Sequence, residues 1–340
     1  MRNLIFAILL LFALVFVFFN MAEVKDIVQT LQNSDWRYIL LALGLQAIWI
    51  FNLAATFQAI YRSLGLDETI ERLYLMVAAA NFVNVVAPSV GVGGLALFIS
   101  EARRRGYSSA RVTIAGGLAV FFDYLGFLSV LALGLIVLIR RNNLTPVELA
   151  ASGVLVIIAV VFGILIYLGM HSERAMGRTL AWMARQLNRF LMLFIQRQYL
   201  SEKHAFEFAR EASTGLRELR QRPKSLLLPA VLSLSNKVLL IGILFLVFMA
   251  FDVPFSAGTL IAGFSIGYLF IIVSPTPAGI GVVEGALTLG LRSLNVPLGA
   301  ATVIALTYRG ITFWAPLLFG MFAFRWLSHT ERVEVSALKN

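Results

Sequence analysis

The sequence predicts an all-α fold: a polytopic membrane helix bundle of about six spans plus two re-entrant broken hairpins arranged as an inverted repeat. Three observations predict it. Apolar residues make up 59% of the 340 and charged residues only 14%, against roughly 25% charged in a soluble domain, and mean hydropathy is +0.85. Several apolar stretches are long enough to cross a bilayer. Two further apolar stretches, one in each half of the chain, are each interrupted near their middle by proline and glycine.

The first stretch, Asn3 to Phe19, has the composition of a signal peptide, but Asn20, Met21, Ala22 and Glu23 follow it without a small-x-small cleavage site. It reads as a retained first span. The other spans are Tyr38 to Tyr61, Arg111 to Ile139, Val147 to Met170, Ser225 to Phe251 and Leu298 to Trp326. The interrupted stretches are Leu73 to Ile99, broken at NVVAPSVGVGG around Pro88, and Gly258 to Leu291, broken at SPTPAGIGVVEG around Pro275. Proline removes a helical donor and glycine weakens a helix, so each stretch is expected to form two short helices joined by a bend. Such a bend survives at membrane depth where protein or a polar cavity satisfies the freed backbone groups. A kinked continuous span is the other reading of each.

The parts recur in the same order in both halves. Residues 38–146 hold a span, the hairpin at 73–99 and a second span; residues 225–327 repeat this with the hairpin at 258–291. The breaks correspond as well, since Pro88 precedes Gly91 and Gly93 as Pro275 precedes Gly279 and Gly281. Residues 1–37 form the first span and its linker, 147–224 a connecting span followed by cytoplasmic amphipathic helices, and 328–340 a cytoplasmic tail.

Positive charge orients this arrangement. With both termini in the cytoplasm, roughly 21 of the 28 Lys and Arg fall inside and about 5 outside. Arg140 and Arg141 are the discordant pair on the outer side. The first hairpin then enters from the cytoplasm and the second from outside, which makes the repeat inverted; paired Pro/Gly-interrupted segments of this kind point to a transporter binding site near the midplane. The net charge of +10 follows membrane topology and anionic headgroups rather than nucleic acid, because the basic residues collect beside apolar segments. Between His171 and Lys224, Met176, Leu180, Met183, Leu187, Leu191 and Phe194 recur at helical spacing while Arg178, Arg185 and Arg189 occupy other faces. That pattern suits either an amphipathic helix at the inner headgroup layer or a solvated helical pair linking the two halves.

Four ionisable residues lie in apolar context: Asp123, Lys237, Glu284 and Arg309. Asp123, Lys237 and Arg309 each fall about eleven residues into a span, close to mid-bilayer at 1.5 Å per residue. A charge there costs on the order of 2.5 to 3.5 kcal/mol, so these side chains are expected to face inward and pair with one another or with a ligand. Two readings are open. Asp123 with Lys237 or Arg309, and Glu284 with the remaining base, form structural ion pairs; or the four mark a pathway, a substrate phosphate seeking Arg309 or Lys237 and a cationic group Asp123 or Glu284. Tyr124, Tyr308 and Asn236 adjoin them in sequence, and Asn81 and Asn84 precede the first break; each can hydrogen-bond a substrate headgroup or satisfy unwound backbone, the second being the expected use of the asparagines. Glu101 and Arg103 are expected at a solvated interface.

No catalytic chemistry is expected. The chain has no cysteine, its histidines show no ligand spacing, and HExxH, GxSxG, Walker and aspartate-rich metal-diphosphate motifs are absent. Neither a metal nor a cofactor is implied.

The hairpin SPTPAGIGVVEGAL followed by a span carrying Arg309, the earlier NVVAPSVGVGG and the basic turn EARRRGYSSARV resemble the lysylphosphatidylglycerol synthase transmembrane-region family. The resemblance extends from the first span to about Trp326. It matches Pro275, Gly279, Gly281 and Glu284 to the family hairpin and Arg309 to the basic residue of the next span. In bifunctional lipid-aminoacylating members this portion is associated with flipping the modified lipid, and this chain lacks their soluble transferase domain, so lipid synthesis is not implied. The resemblance implies a phospholipid flippase or lipid transporter of a bacterial-type cytoplasmic (inner) membrane, with anionic or aminoacylated phospholipids as partners and no nucleic acid. The alternative is a non-transporting scaffold whose arginine-rich segment recruits or regulates a lipid-modifying enzyme.

Overall fold

A computed structural model of the chain describes residues 32, 34–86, 92–192, 202–274 and 276–337. Among them twelve α-helices and no strand occur. In order they are α1 (Trp36–Ser63), α2 (Ile70–Val86), α3 (Val92–Arg104), α4 (Ser109–Arg140), α5 (Pro146–His171), α6 (Glu173–Met192), α7 (Glu202–Gln221), α8 (Leu227–Ala250), α9 (Ala257–Val273), α10 (Val282–Ser293), α11 (Leu298–Arg309) and α12 (Ala315–Ala337). A π-helical turn, Gly310–Trp314, joins α11 to α12.

Five helical stretches are long and apolar enough to cross a membrane: α1, α4, α5, Pro223–Ala250 around α8, and Leu298–Leu327 through α11 and α12. The shortest has 26 residues, roughly 39 Å of helix against a hydrocarbon core of about 30 Å. These match the sequence-predicted spans; the span predicted at Asn3 to Phe19 lies outside the described residues. On α5, Leu149, Ile157 and Tyr167 leave well over half their surface exposed, as a lipid-facing helix requires.

The helices distribute over two compact units, and α1, α4, α5 and α8 each contribute to both. The first unit contains the chain up to Gln46, Leu131–Glu148 and Leu240–Phe313. Here α9 and α10 run side by side in opposite directions. A Cβ added at Gly263, near the start of α9, would sit 2.7 Å from Leu291, near the end of α10, and one at Gly290 would sit 2.8 Å from Ile266. Small residues at such positions let backbones approach where lipid offers no hydrophobic drive between helices. Leu138, Ala262, Ile266 and Leu294 form the buried cluster beside this contact.

The second unit contains Ala47–Val130, Leu149–Leu239 and Trp314 onward. Its core joins α1, α2, α3, α4, α6 and α7 through Ile60, Leu73, Phe98, Leu118, Met176 and Leu216. Helices α2 and α3 fold back on each other, bringing Arg72 at one end of the pair to Glu101 at the other. Helix α12 packs on α2, where Gly320 approaches the Ala78 carbonyl and Tyr74 meets Phe319 edge-on. Both interrupted stretches are thus helical hairpins rather than kinked single helices. Pro88 and Gly91 of the first break, and Pro275 of the second, lie outside the described residues.

Candidate functional site

The second break belongs to the first unit and is organised by two of the four apolar-context charges. After α9 the chain makes a 3₁₀ turn, Pro277–Gly279, with Ala278, Gly279 and Gly281 at φ of 52°, 74° and 80°. Three left-handed residues in four reverse the chain within a few ångströms, a conformation that only glycine adopts without penalty. The freed backbone groups are met by side chains. Glu284 Oε2 accepts from the Gly281 N–H at 2.7 Å, closing the first turn of α10, while Oε1 accepts from Arg309 Nε at 3.0 Å. Arg309 Nη2 donates to the Ala278 carbonyl at 2.9 Å, and the guanidinium lies 4.4 Å from the centroid of the Phe313 ring. One arginine thereby neutralises a carboxylate, satisfies a turn carbonyl and stacks on an aromatic face, a combination that suits its planar fork. Arg309 is 4% exposed. It sits at the last position of α11, directly before the π-helical turn, a distortion frequent at functional sites.

The other two charges meet in the second unit. Lys237 of α8 donates to Asp123 of α4 at 2.5 Å, with side-chain exposures of 1% and 29%. Gly126, one turn along α4, permits the approach, since a Cβ there would lie 3.0 Å from the Ser233 carbonyl. Of the two pairings open in the sequence, the chain therefore adopts Asp123 with Lys237 and Glu284 with Arg309. Asn236, beside Lys237, accepts from Asn52 of α1 at 2.8 Å, and Asn52 also donates to the Leu232 carbonyl and Ser235 Oγ, both at 2.9 Å. The sequence reading missed Asn52, whose signal was an amide in the middle of an apolar span. Tyr124 sets its ring edge-on to Phe162, and Tyr308 is buried beside Arg309 in α11.

A cavity of about 340 Å³ opens in the same second unit. Phe57, Phe98, Val120 and Phe162 contribute apolar walls, and Asn81, Asn84 and Thr113 contribute polar groups. Val120 is three residues before Asp123 on α4, the spacing that places neighbours on one helix face. Asn84 uses its Oδ1 to accept from the Gly94 N–H at 2.7 Å, capping the first turn of α3 from a different helix. This is the backbone-satisfying role expected of it. Asn81 makes no hydrogen bond among the described residues and lines the cavity.

Glu101 corrects the expectation of a solvated residue. It is 3% exposed and bridges Arg72 at 2.5 Å and Arg104 at 3.4 Å, because the α2–α3 hairpin returns Arg72 to it. Arg103 does remain exposed, its Nε donating to Ser109 Oγ at 2.9 Å. In the first unit, Arg141 binds Ser256 Oγ at 2.9 Å and Thr259 Oγ1 at 3.4 Å, around the N-cap of α9. One of the two arginines discordant with the charge-based orientation therefore has a structural use, holding the start of α9. Among the described residues no three His, Cys, Asp or Glu side chains gather as a metal site.

The family model of the lysylphosphatidylglycerol synthase transmembrane region matches residues 4–320. The chain belongs to this family. Proteins similar to it include a UPF0104 membrane protein of Methanocaldococcus jannaschii, 24% identical over 328 residues and covering 93% of each chain. A UPF0104 membrane protein of Methanothermobacter thermautotrophicus is 23% identical over 310 residues, covering 88% of each. The match takes in both helical hairpins and all four paired charges, and places the chain among multi-pass membrane proteins with a lipid-related family name.

Proposed function

We propose that this member of the family is a phospholipid flippase or lipid transporter whose substrate headgroup exchanges with the Asp123–Lys237 pair. The observation that carries this reading is the asymmetry of that pair: a lysine with 1% of its side chain exposed bound to an aspartate with 29% exposed. A buried cation whose counter-ion can still be reached is a place where a lipid phosphate can replace a carboxylate. The cavity one helical turn away on α4 offers apolar walls to an acyl chain, and Asn81 offers an amide to its ester region. Glu284 and Arg309 take a different part here. Their hydrogen bonds are committed to the second turn, so they fix the hairpin and neutralise each other. The proposed membrane is the cytoplasmic one with both termini inside, the two hairpins entering from opposite faces.

Reconstitution in vesicles with a fluorescent phospholipid, followed by quenching of the outer leaflet, tests the reading. Wild type is expected to move lipid between leaflets, Asp123→Asn to slow it by at least tenfold, and the exchanged pair Asp123→Lys/Lys237→Asp to remain folded. Rates equal to protein-free vesicles for correctly inserted wild type would overturn the proposal in favour of a non-transporting scaffold.

A further inference from the structure

The apolar stripe of α6 suits either a helix at the headgroup layer or a solvated helical pair, and its described members are only partly covered: Met176 is buried, Leu180 packs half-buried against the core of the second unit, and Met183 is half-buried. Ala181 and Ala184 are buried as well, α6 packs along α7, and Gly177 lies so close to Phe206 of α7 that a Cβ there would sit 2.5 Å from the ring. The opposite face is the one left outward. It carries Arg174, Arg178, Trp182, Arg185 and Arg189, all exposed. At 100° per residue these five fall within an arc of about 80°. Trp182 is 54% exposed, and the sole acid of α6 is Glu173 at its first position.

The helix is also tied to the end of a span. Only Ser172 separates it from α5, a spanning helix that ends at His171, and Ser172 Oγ accepts from the Ala175 N–H at 3.2 Å to start α6 at once. Gly169 in the last turn of α5 packs against Met176 and Leu216, so that α6 and α7 are fastened to the end of the span. An exposed tryptophan among arginines at the end of a span matches the headgroup layer, where aromatic rings concentrate and anionic lipids attract basic side chains.

We propose that the arginine–tryptophan face of α6 docks on the anionic phospholipid headgroups of the leaflet from which α5 emerges. This goes beyond the transport reading and does not depend on it: α6 lies along the surface with its charged face, not its apolar face, toward lipid. A net positive stripe without intervening acids complements an anionic leaflet, and each arginine near such a surface favours docking roughly fivefold. A scaffold with no transport activity would dock in the same way.

The chain contains no cysteine, so a single Gln186→Cys beside the stripe can carry an environment-sensitive NBD label on the full-length protein. In nanodiscs of equal parts phosphatidylglycerol and phosphatidylcholine the label is expected to emit at shorter wavelength than in phosphatidylcholine alone. High salt, or Arg174→Gln/Arg178→Gln/Arg189→Gln, is expected to abolish the difference, a combined loss of roughly a hundredfold in docking. Should that triple variant fail to insert, the salt titration of the labelled parent decides alone. Emission that is identical in the two lipid compositions, or insensitive to salt, overturns the proposal. So does emission that responds only to an added acidic protein or RNA.

Discussion

Glu284 and Arg309 stand 25 residues apart and meet at 3.0 Å, and each also grips the turn between α9 and α10, Glu284 through the Gly281 N–H and Arg309 through the Ala278 carbonyl. The pair is a strut for irregular backbone that lipid could not satisfy.

Arg309→Ala should therefore destabilise the protein by about 3–5 kcal/mol, because it strands a carboxylate and a turn carbonyl together. Arg309→Lys should recover only part of this, since a point charge cannot serve both acceptors through separate nitrogens. Glu284→Gln should be milder, its amide oxygen still able to accept from Gly281. Unfolding midpoints in detergent at one fixed scan rate check the order.

Removing Lys237 alone should behave unlike removing the pair. Lys237→Met leaves Asp123 without its buried cation and should lower stability by several kcal/mol, whereas Asp123→Asn/Lys237→Met should lie closer to wild type. With Asp123→Asn measured alone to close the cycle, a double variant that loses as much as the two single variants together would show that the two residues are not energetically coupled.

The two glycines of the second turn should differ. A Cβ at Gly281 meets nothing within 4 Å, while one at Gly279 would lie 2.3 Å from Val283. Gly281→Ala should then show only the left-handed backbone penalty of about 1–2 kcal/mol. Gly279→Ala should add an overpacking cost of about 1–3 kcal/mol. Val283→Ala should relieve that second part in the double variant, read by the same melting experiment.

Gly320→Ala should push α12 from α2, because the new methyl would lie 2.3 Å from the Ala78 carbonyl oxygen, a backbone atom that cannot rotate away. Gly44→Ala, in open surroundings on α1, should be neutral or stabilising by up to about 1 kcal/mol. Cysteine crosslinking between Tyr74 and Phe319 positions should fall in the first variant and hold in the second.

The spans were legible because twenty apolar residues have few other uses, and the two hairpins because Pro and Gly interrupt them at corresponding places. Pairing was not legible. Lys237 and Asp123 are separated by 114 residues, and residue spacing carries no distance across helices. Glu101 misled for a related reason: EARRR reads as a solvated turn until the α2–α3 hairpin returns Arg72 from 29 residues away. The apolar stripe of α6 was visible as a pattern, but whether lipid or α7 would cover it depends on a helix whose position the pattern does not encode. Asn52 was visible as a polar interruption, and only its partners in α8 were hidden.

The Asn84 cap on Gly94 makes a prediction about descent rather than stability. Most helices carry their capping residue immediately before them, so the cap and the helix are inherited as one local word. Here the capping amide arrives from α2, and a Cβ at position 94 would sit 2.7 Å from Asn84 Nδ2. A change at either position disturbs the other. Across the family, the two positions should co-vary, with a residue larger than glycine at 94 accompanied by a shorter side chain at 84 and by a capping residue placed locally before α3. The residues between them are then free to drift in sequence while α2 and α3 keep their contact.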